Sequence, residues 1–559
     1  MNTKKRSLNV VYQIYPRSFR DSNGDGVGDI PGVIEKIDYL KWLGVDTVWF
    51  NPFFTSPQKD LGYDISNFTD ISPEYGTMGD FDLMLEELHR QGIKVILDLV
   101  LNHTSVEHPW FKESASSRDN PRREWYIWRD GKKPGGKKPP NNWRAATGGP
   151  AWKYFANTDQ WVYFHFLPFE VDLNYRNLEV KNTMLNVMRF WLNKGVDGFR
   201  LDFLHAIYED EELRNNPFSW RLFPSDKSVA MLFDSHKYDL NLPDTIAFAR
   251  ELREVVDEYQ PRRFLVGEVF GDIEQTCQYC GPENTGLNMV FLFEFTSTAF
   301  KPRRYARIIR RIEECFPSPN TPTYVFSNHD RVRFITRLSN NEEKVKLAAT
   351  MQMTLRGVPF IYYGEEIGIP NVNFKLKNSQ DPIGKKYAWS PISQIPGVGF
   401  SLSRDGCRTP MQWTDGPNAG FCKDGVEPWL KISNSYRKKN VAAEMKMSHS
   451  LLNIYRSLIR LRKTVPAIAI GGFEFIDLSG QDKRCLAYRR YYEDNEIHVY
   501  LNFSRKKVKF TPVLPIGNYH ILFSTRDRNN ELSEDGKNIE LGSYEGIVLD
   551  TVEGKESDL

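Results

Sequence analysis

From Leu8 onward, short apolar runs alternate along the chain with stretches whose apolar residues recur at helical spacing. The runs at 8–16, 45–52, 93–102, 196–203, 263–270, 287–295, 322–328 and 358–363 are short and mostly apolar, as strands buried on both faces are. Between them Ile30, Val33, Ile34 and Ile37 share one face of a helix predicted over 30–43. A second helix is predicted from Phe81 to Leu88, ending at Gly92, and a last one from Leu451 to Arg462, where Leu451, Ile454, Tyr455, Leu458 and Ile459 line one face. Eight strands alternating with helices predict an α/β chain built as a (β/α)8 TIM barrel. In such a barrel, function sits at the carboxyl ends of the strands.

The alternation breaks twice. About 70 residues, His103 to Asn174, are rich in Trp, Pro, Gly and basic residues, and an excursion of that length is usually functional. It reads as a small domain inserted after strand three. A second excursion, Asn371 to Phe421, follows strand eight. From about residue 468, short alternating runs such as Ile497 to Asn502 predict an antiparallel β domain. The expected division is therefore a barrel from 1–102 and 175–467, an inserted domain at 103–174 and a C-terminal β domain at 468–559.

Composition narrows the partners. The 74 basic and 72 acidic side chains leave a formal charge of +2, which gives no electrostatic reason to expect nucleic acid or an anionic membrane. The basic stretch at 131–140, GKKPGGKKPP, reads as a solvated loop rather than a polyanion site. No run of 18 uncharged apolar residues and no leader-like segment is visible, and six cysteines are too few and too irregular for a disulfide scaffold. A cytoplasmic protein acting on a small neutral substrate is expected. Cys277 and Cys280 have CxxC spacing without a second CxxC, so ordinary thiols are expected there rather than zinc or redox chemistry.

Candidate chemistry gathers at the ends of three apolar runs. In GVDGFRLDF, Arg200 and Asp202 are two apart and share a strand face, an arrangement that serves either a structural ion pair or a functional cavity. RFLVGEVF delivers Glu268, and TYVFSNHD delivers Asn328, His329 and Asp330. Asp98, Asn102 and His103 end the third strand. A zinc site from His103, His329 and Asp330 is conceivable but lacks any zinc-motif spacing. Three carboxylates, Asp202, Glu268 and Asp330, at one barrel mouth fit glycosidic bond cleavage instead. That reaction needs one ionised carboxylate and one protonated carboxyl. Arg200 is expected to keep Asp202 ionised, and the apolar residues before Glu268 to keep it protonated. Tyr63, Phe164, Phe166 and Trp413 are candidates for stacking on sugar faces. DSNGDGVGD, residues 21–29, places oxygen ligands at Asp21, Asn23, Asp25 and Asp29 around glycines, as a hard cation wants. Gly32 at the twelfth position excludes an EF-hand but not a calcium loop of another kind.

Taken together, YQIYPRSFRDSNGDGVGDI, KDLGYDIS, DLVLNHTS, GVDGFRLDF, GEVF, SNHD, YYGEE and RDGCRTPMQW resemble, in order, the signature regions of the α-amylase family, glycoside hydrolase family 13. The likeness runs from about Val10 into the C-terminal β domain. It is strongest to the exo-acting α-glucosidases and oligo-1,6-glucosidases. The resemblance implies a retaining α-glucosidase with Asp202 as nucleophile, Glu268 as acid/base and Asp330 as the residue that binds and distorts the sugar. Arg200 would orient the nucleophile. Asp60, Tyr63, His103, His329 and Arg404 would grip the terminal glucose of a short oligosaccharide. Asp21, Asn23, Asp25 and Asp29, with the Val27 carbonyl, match a structural calcium or magnesium loop, and no organic cofactor is implied. A monomer or small homo-oligomer is expected.

Two positions depart from the family pattern. EVDLN, residues 170–174, stands where these glucosidases commonly read QPDLN, and Phe203 follows the nucleophile position where a small residue or Val is usual. Both border the leaving-group side and bear on linkage preference. A transglucosidase, trehalose synthase or sucrose isomerase is the alternative within the family. A non-catalytic heavy-chain protein is the alternative from another class.

Overall fold

In this computed structural model, residues 9–132, 138–220, 235–388, 403–478, 483–528, 531–533 and 536–551 are described. Part of the basic stretch, residues 133–137, therefore lies outside the described residues, as do 389–402 of the second excursion. The central sheet has eight strands: β1 (Val11–Ile14), β2 (Thr47–Phe50), β3 (Lys94–Val100), β4 (Gly198–Asp202), β5 (Phe264–Gly267), β6 (Met289–Val290), β7 (Thr323–Val325) and β8 (Val358–Tyr362). Each falls inside one of the eight predicted runs. Neighbours pair in parallel in the order β6-β5-β4-β3-β2-β1-β8-β7. Between β6 and β7 a side chain takes the place of a ladder. Thr323 Oγ1 donates to the Val290 carbonyl at 2.8 Å and accepts from Leu292 N at 3.1 Å, closing the barrel.

The two faces of each strand bury different company, which follows from side-chain alternation. Val11, Trp49, Ile96, Phe264, Val266, Val325, Val358 and Phe360 fill the barrel interior. Tyr12, Val48, Leu97, Phe199, Leu201 and Leu265 point outward into the layer of helices. Among those helices Met78–Arg90 opens on a capping box of Thr77 and Asp80, and Leu451–Thr464 starts at Ser450, whose side chain accepts from Asn453 N. The helix predicted over 30–43 is two, Ile30–Ile34 and Ile37–Leu43. The chain leaves helical geometry at Lys36, whose ammonium lies 4.7 Å from the centre of the Trp413 ring. The apolar phase survives the break, so the periodicity carried no sign of it.

After β3, residues 103–105 pair antiparallel with 170–172, and 128–129, 152–155 and 160–163 form a small three-stranded sheet. The C-terminal sheet comprises β9 (Gly472–Phe475), β10 (Cys485–Tyr492), β11 (Asn495–Asn502), β12 (Tyr519–Ser524) and β13 (Gly546–Thr551), antiparallel in the order β9-β10-β11-β13-β12. Two buried arginines tie it and the last barrel helix to the barrel. Arg490 donates to the Thr354 carbonyl at 2.5 Å, and Arg462 donates to the carbonyls of Met353 at 2.7 Å and Leu355 at 3.0 Å. These carbonyls close the helix Glu342–Thr354, where a cation meets the negative end of the helix dipole.

Gly198 sets how closely β4 and β5 approach, because a Cβ there would stand 2.1 Å from the Phe264 carbonyl oxygen. Gly198→Ala is expected to cost at least about 3 kcal/mol, seen as a lower midpoint in urea unfolding. An unchanged midpoint would show that the two strands separate freely at this point.

Candidate active site

Alternation along β4 turns Gly198, Arg200 and Asp202 into the barrel while Phe199 and Leu201 face the helices. Arg200 lies against the Trp49 ring, 5.2 Å from its centre, and is the meeting point of three carboxylates. Its Nη1 reaches Asp98 Oδ1 at 2.6 Å and Asp202 Oδ1 at 2.5 Å, and its Nη2 reaches Glu268 Oε1 at 2.8 Å. Asp98 faces Arg200 directly in the register of β3 and β4, and Glu268 follows Val266, an inward residue, by two positions. One guanidinium cannot neutralise three buried acids. Burial outweighs Arg200 and pushes Asp98, Asp202 and Glu268 each up to about 7. The sequence predicts an ionised Asp202 and a protonated Glu268 held apart by their surroundings. The structure instead buries both against the same cation, and both shift in the same direction.

Asp330 is the opposite case. Its side chain is 29% exposed, against 12% for Asp202 and 6% for Glu268, so it offers most surface to an entering molecule. Burial works to raise it, but His329, Arg408 and Arg404 outweigh burial and hold it well below the usual carboxylate range. Arg408 Nη2 is 2.9 Å and Arg404 Nη1 3.4 Å from Oδ1, and His329 Nε2 is 3.0 Å from Oδ2. His329 is locked from behind. Gln13 Nε2 lies 2.8 Å from its Nδ1 and 2.8 Å from Asn51 Oδ1, so with the amide donating to both, the ring hydrogen sits on Nε2, toward Asp330 and the Tyr63 hydroxyl at 2.6 Å. Tyr63 stacks on the imidazole with 5.5 Å between ring centres.

Arg404 completes the wall. It binds Asp381 through Nε at 3.1 Å and Nη2 at 2.8 Å, bonds Asp60 Oδ1 through the same Nη2, and reaches Asp330. Burial, opposed by Arg404, pushes Asp60 up to about 6. His103, at the end of β3, turns Nδ1 to Asn102 Oδ1 at 3.0 Å.

A family profile for the α-amylase catalytic domain matches residues 13–471. The chain belongs to the α-amylase family. It is 39% identical over 510 residues to a probable α-glucosidase of Rhizobium meliloti (strain 1021), covering 89% of this chain and 88% of that one. It is 37% identical over 571 residues to an oligo-1,6-glucosidase of Parageobacillus thermoglucosidasius, covering 96% and 97%. Among solved structures, the α-glucosyl transfer enzyme XgtA superposes with a TM-score of 0.87 at 34% identity, covering 97% of this chain and 98% of that one. The isomaltulose synthase SmuA of Protaminobacter rubrum superposes with a TM-score of 0.86 at 30% identity, over 97% and 98%.

Within this α-amylase fold, Phe203 sits in left-handed backbone geometry, φ 45° and ψ 34°, a costly conformation for a bulky residue. The turn aims its N–H at Glu268 Oε2, 3.2 Å away. Its ring lies 4.4 Å from His205, 5.3 Å from His165 and 5.7 Å from Phe166, centre to centre, and Phe270 closes the cluster. Trp413 is elsewhere. It packs edge-on against Phe19 and Tyr39, 5.1 Å from each, and its Nε1 donates to the Phe19 carbonyl at 2.8 Å. It is core, because its indole N–H finds a backbone partner inside. Phe164 is also buried.

The loop 21–29 is knitted by its own acids. Asp21 accepts from Gly24 N at 2.6 Å and Gly26 N at 2.9 Å, Asp29 from Gly32 N at 2.6 Å and Ser22 N at 3.0 Å, Asn23 from Asp25 N at 2.9 Å, and Asp25 from Val27 N at 2.8 Å. Among the described residues no Lys or Arg pairs with buried Asp21 or Asp29. Two enclosed carboxylates without a cationic partner are a donor set that fits a hard divalent ion. His103, His329 and Asp330 do not form a metal-ligand group. Among the described residues His165, His236 and Asp239 alone bring three such atoms within 4.8 Å. There His236 Nδ1 already bonds Asp239 Oδ2 at 2.9 Å, and Asn216 Nδ2 donates to Asp239 Oδ1 at 2.9 Å.

Gln13, Asn51, Asp381 and Arg408 shape the site although sequence reasoning did not single them out. Arg408 lies in the motif RDGCRTPMQW, and Gln13 and Asn51 lie at strand ends, so position was the available signal; Asp381 carried none. Removing one member of a buried pair strands the other, so Asp381→Ala is expected to destabilise the protein by about 3 kcal/mol. Thermal unfolding checks it. An unchanged melting temperature would mean that Asp60 and Asp330 suffice for Arg404.

Proposed function

We propose that the protein is a retaining α-glucosidase that releases α-glucose from the non-reducing end of short α-glucosides. The observation that carries this reading is the gathering of Asp202 and Glu268 on one guanidinium, beside Asp330. A double displacement needs its two acids about 5 Å apart, and both carboxylates here bond the one guanidinium, Asp202 through Nη1 at 2.5 Å and Glu268 through Nη2 at 2.8 Å. Burial raises both to about 7, so both compete for protons near neutrality. In the productive arrangement Asp202 is the anion beneath the anomeric carbon and Glu268 holds the proton above the departing oxygen. Asp202 attacks as Glu268 protonates the leaving group, and Glu268 then takes a proton from the water that frees the sugar. Arg200 orients Asp202. Asp330, held ionised by Arg404 and Arg408, binds ring hydroxyls with His329, Tyr63, Asp60 and His103. The names of the relatives support the same substrate class.

A second reading, glucosyl transfer to a sugar acceptor, has support in the cluster of Phe203, Phe166 and Phe270. Apolar rings on the leaving-group side disfavour water relative to a sugar face, and two of the similar structures are a glucosyl transfer enzyme and an isomaltulose synthase. For the loop 21–29 we propose a structural calcium or magnesium ion held by Asp21, Asn23, Asp25, Asp29 and the Val27 carbonyl, with no organic cofactor. No described helix is long and apolar enough to cross a membrane. Six free cysteines are compatible with work in the cytoplasm, the compartment we propose for it.

Asp202→Asn is expected to lower kcat on 4-nitrophenyl α-glucoside by at least about 10⁴-fold, while proton NMR of the wild-type reaction shows α-glucose appearing first. Residual turnover near wild type, or β-glucose first, would sink the assignment. Chelation with EDTA is expected to lower the melting temperature by several degrees, with Ca²⁺ or Mg²⁺ restoring it. A melting curve indifferent to both rejects the ion.

A further inference from the structure

Beside the Phe203 ring lies a group of side chains that the sugar chemistry does not use. His165 comes from the stretch inserted after β3, while His236 and Asp239 come from the segment that follows β4, so the fold joins two distant pieces of chain. The two imidazoles stand 5.2 Å apart, centre to centre. One ligand atom from each of the three residues lies within 4.8 Å of the other two. His165 and Asp239 are fully enclosed, and His236 is the member that reaches toward the surface.

The bonds these groups make leave one atom over. His165 Nδ1 lies 2.7 Å from the Tyr163 hydroxyl, whereas its Nε2 is enclosed and has no hydrogen-bond partner. A buried polar nitrogen in that state costs about 1–3 kcal/mol. Asp239 is a buried carboxylate that, among the described residues, no Lys or Arg pairs; Asn216 Nδ2 reaches its Oδ1 and His236 Nδ1 its Oδ2, each at 2.9 Å. A divalent transition-metal ion supplies what both lack, an acceptor for the nitrogen lone pair and a positive charge beside the acid. Two imidazoles and a carboxylate, with water in the fourth place, are a donor set that zinc takes. Two of the three donors are also braced from behind, His165 by Tyr163 and Asp239 by Asn216, as outer partners orient metal ligands.

We propose that His165, His236 and Asp239 form a binding site for Zn²⁺ or a closely similar first-row divalent ion. The ion takes the place of the hydrogen between His236 Nδ1 and Asp239 Oδ2, whose proton leaves to solvent, and His165 closes on it through Nε2. Metal–ligand bonds of about 2.0–2.2 Å in a tetrahedron hold the ligand atoms roughly 3.3 Å apart. His236 and Asp239 therefore part slightly from 2.9 Å, and His165 moves inward by no more than about 1.5 Å. Calcium and magnesium prefer oxygen ligands, so this site and the loop 21–29 sort ions by donor type. The ion is one ring removed from the acid: His165 lies 5.3 Å from Phe203, centre to centre, and the Phe203 N–H reaches Glu268.

Protein stripped of metal and kept in Ca²⁺, to satisfy the loop 21–29, is titrated with Co²⁺ as a coloured substitute for Zn²⁺. A single equivalent is expected to raise the visible bands of a four-coordinate, imidazole-bound ion, and added Zn²⁺ to abolish them. His165→Asn and Asp239→Asn are expected to weaken Co²⁺ binding at least about 100-fold, and Asn216→Ala about tenfold. Melting curves show which variants fold. Zinc-soaked crystals of the wild type need no variant, and an anomalous-scattering peak is expected between the three side chains. A wild-type titration without bands overturns the proposal, as do bands that persist unchanged in both ligand variants or an anomalous map with no peak at this place. None of these measurements involves a glucoside, so loss of the metal site leaves the glucosidase reading standing, and the reverse.

Discussion

The site depends on one buried cation with too many partners. Arg200, with almost no exposure to solvent, binds Asp98, Asp202 and Glu268 at once. Such an arrangement is poor as a stability device, because desolvating ions costs more than most buried pairs return. Its value is electrostatic. With three acids and one guanidinium, the carboxyls compete, rise together to about 7 and retain protons near neutral pH. A single change of charge in the cavity can then redistribute those protons among the three acids.

A second layer of cations acts in the contrary sense. Arg404 and Arg408 reach Asp330 from the excursion that follows β8, and they hold it ionised where Arg200 alone could not. The two tiers meet at Tyr63 and His329, which bond each other, while Tyr63 also donates to Asp98 at 3.0 Å. Asp60 and Asp381 in turn neutralise Arg404. Nearly every side chain in the network is therefore oriented by another, and the barrel strands supply only its rigid base.

Around Phe203 the constraint is steric. Phe203 accepts an unfavourable backbone conformation, which delivers its N–H to Glu268 and its ring to the cluster with Phe166, His165 and His205. Strain at this point is retained because the surroundings over-determine it. The turn that bears on the protonation of Glu268 is thus the same one that places the Phe203 ring in the aromatic cluster.

The amino-acid order alone determined the barrel, since alternation and apolar runs are local properties that survive any arrangement of the loops. It also determined that Arg200 and Asp202 share a face, because a strand admits no other outcome two residues apart. The tertiary structure decided what those residues meet. That Glu268 takes the same guanidinium as Asp202, that Trp413 belongs to the core, and that Asp381 holds Arg404 all depend on contacts between segments far apart in the chain. A pKa follows burial and the charges within a few ångströms, and neither is a property of any one stretch of sequence. The acids were legible from their order in the chain; that burial against one cation raises them together became visible only with the fold.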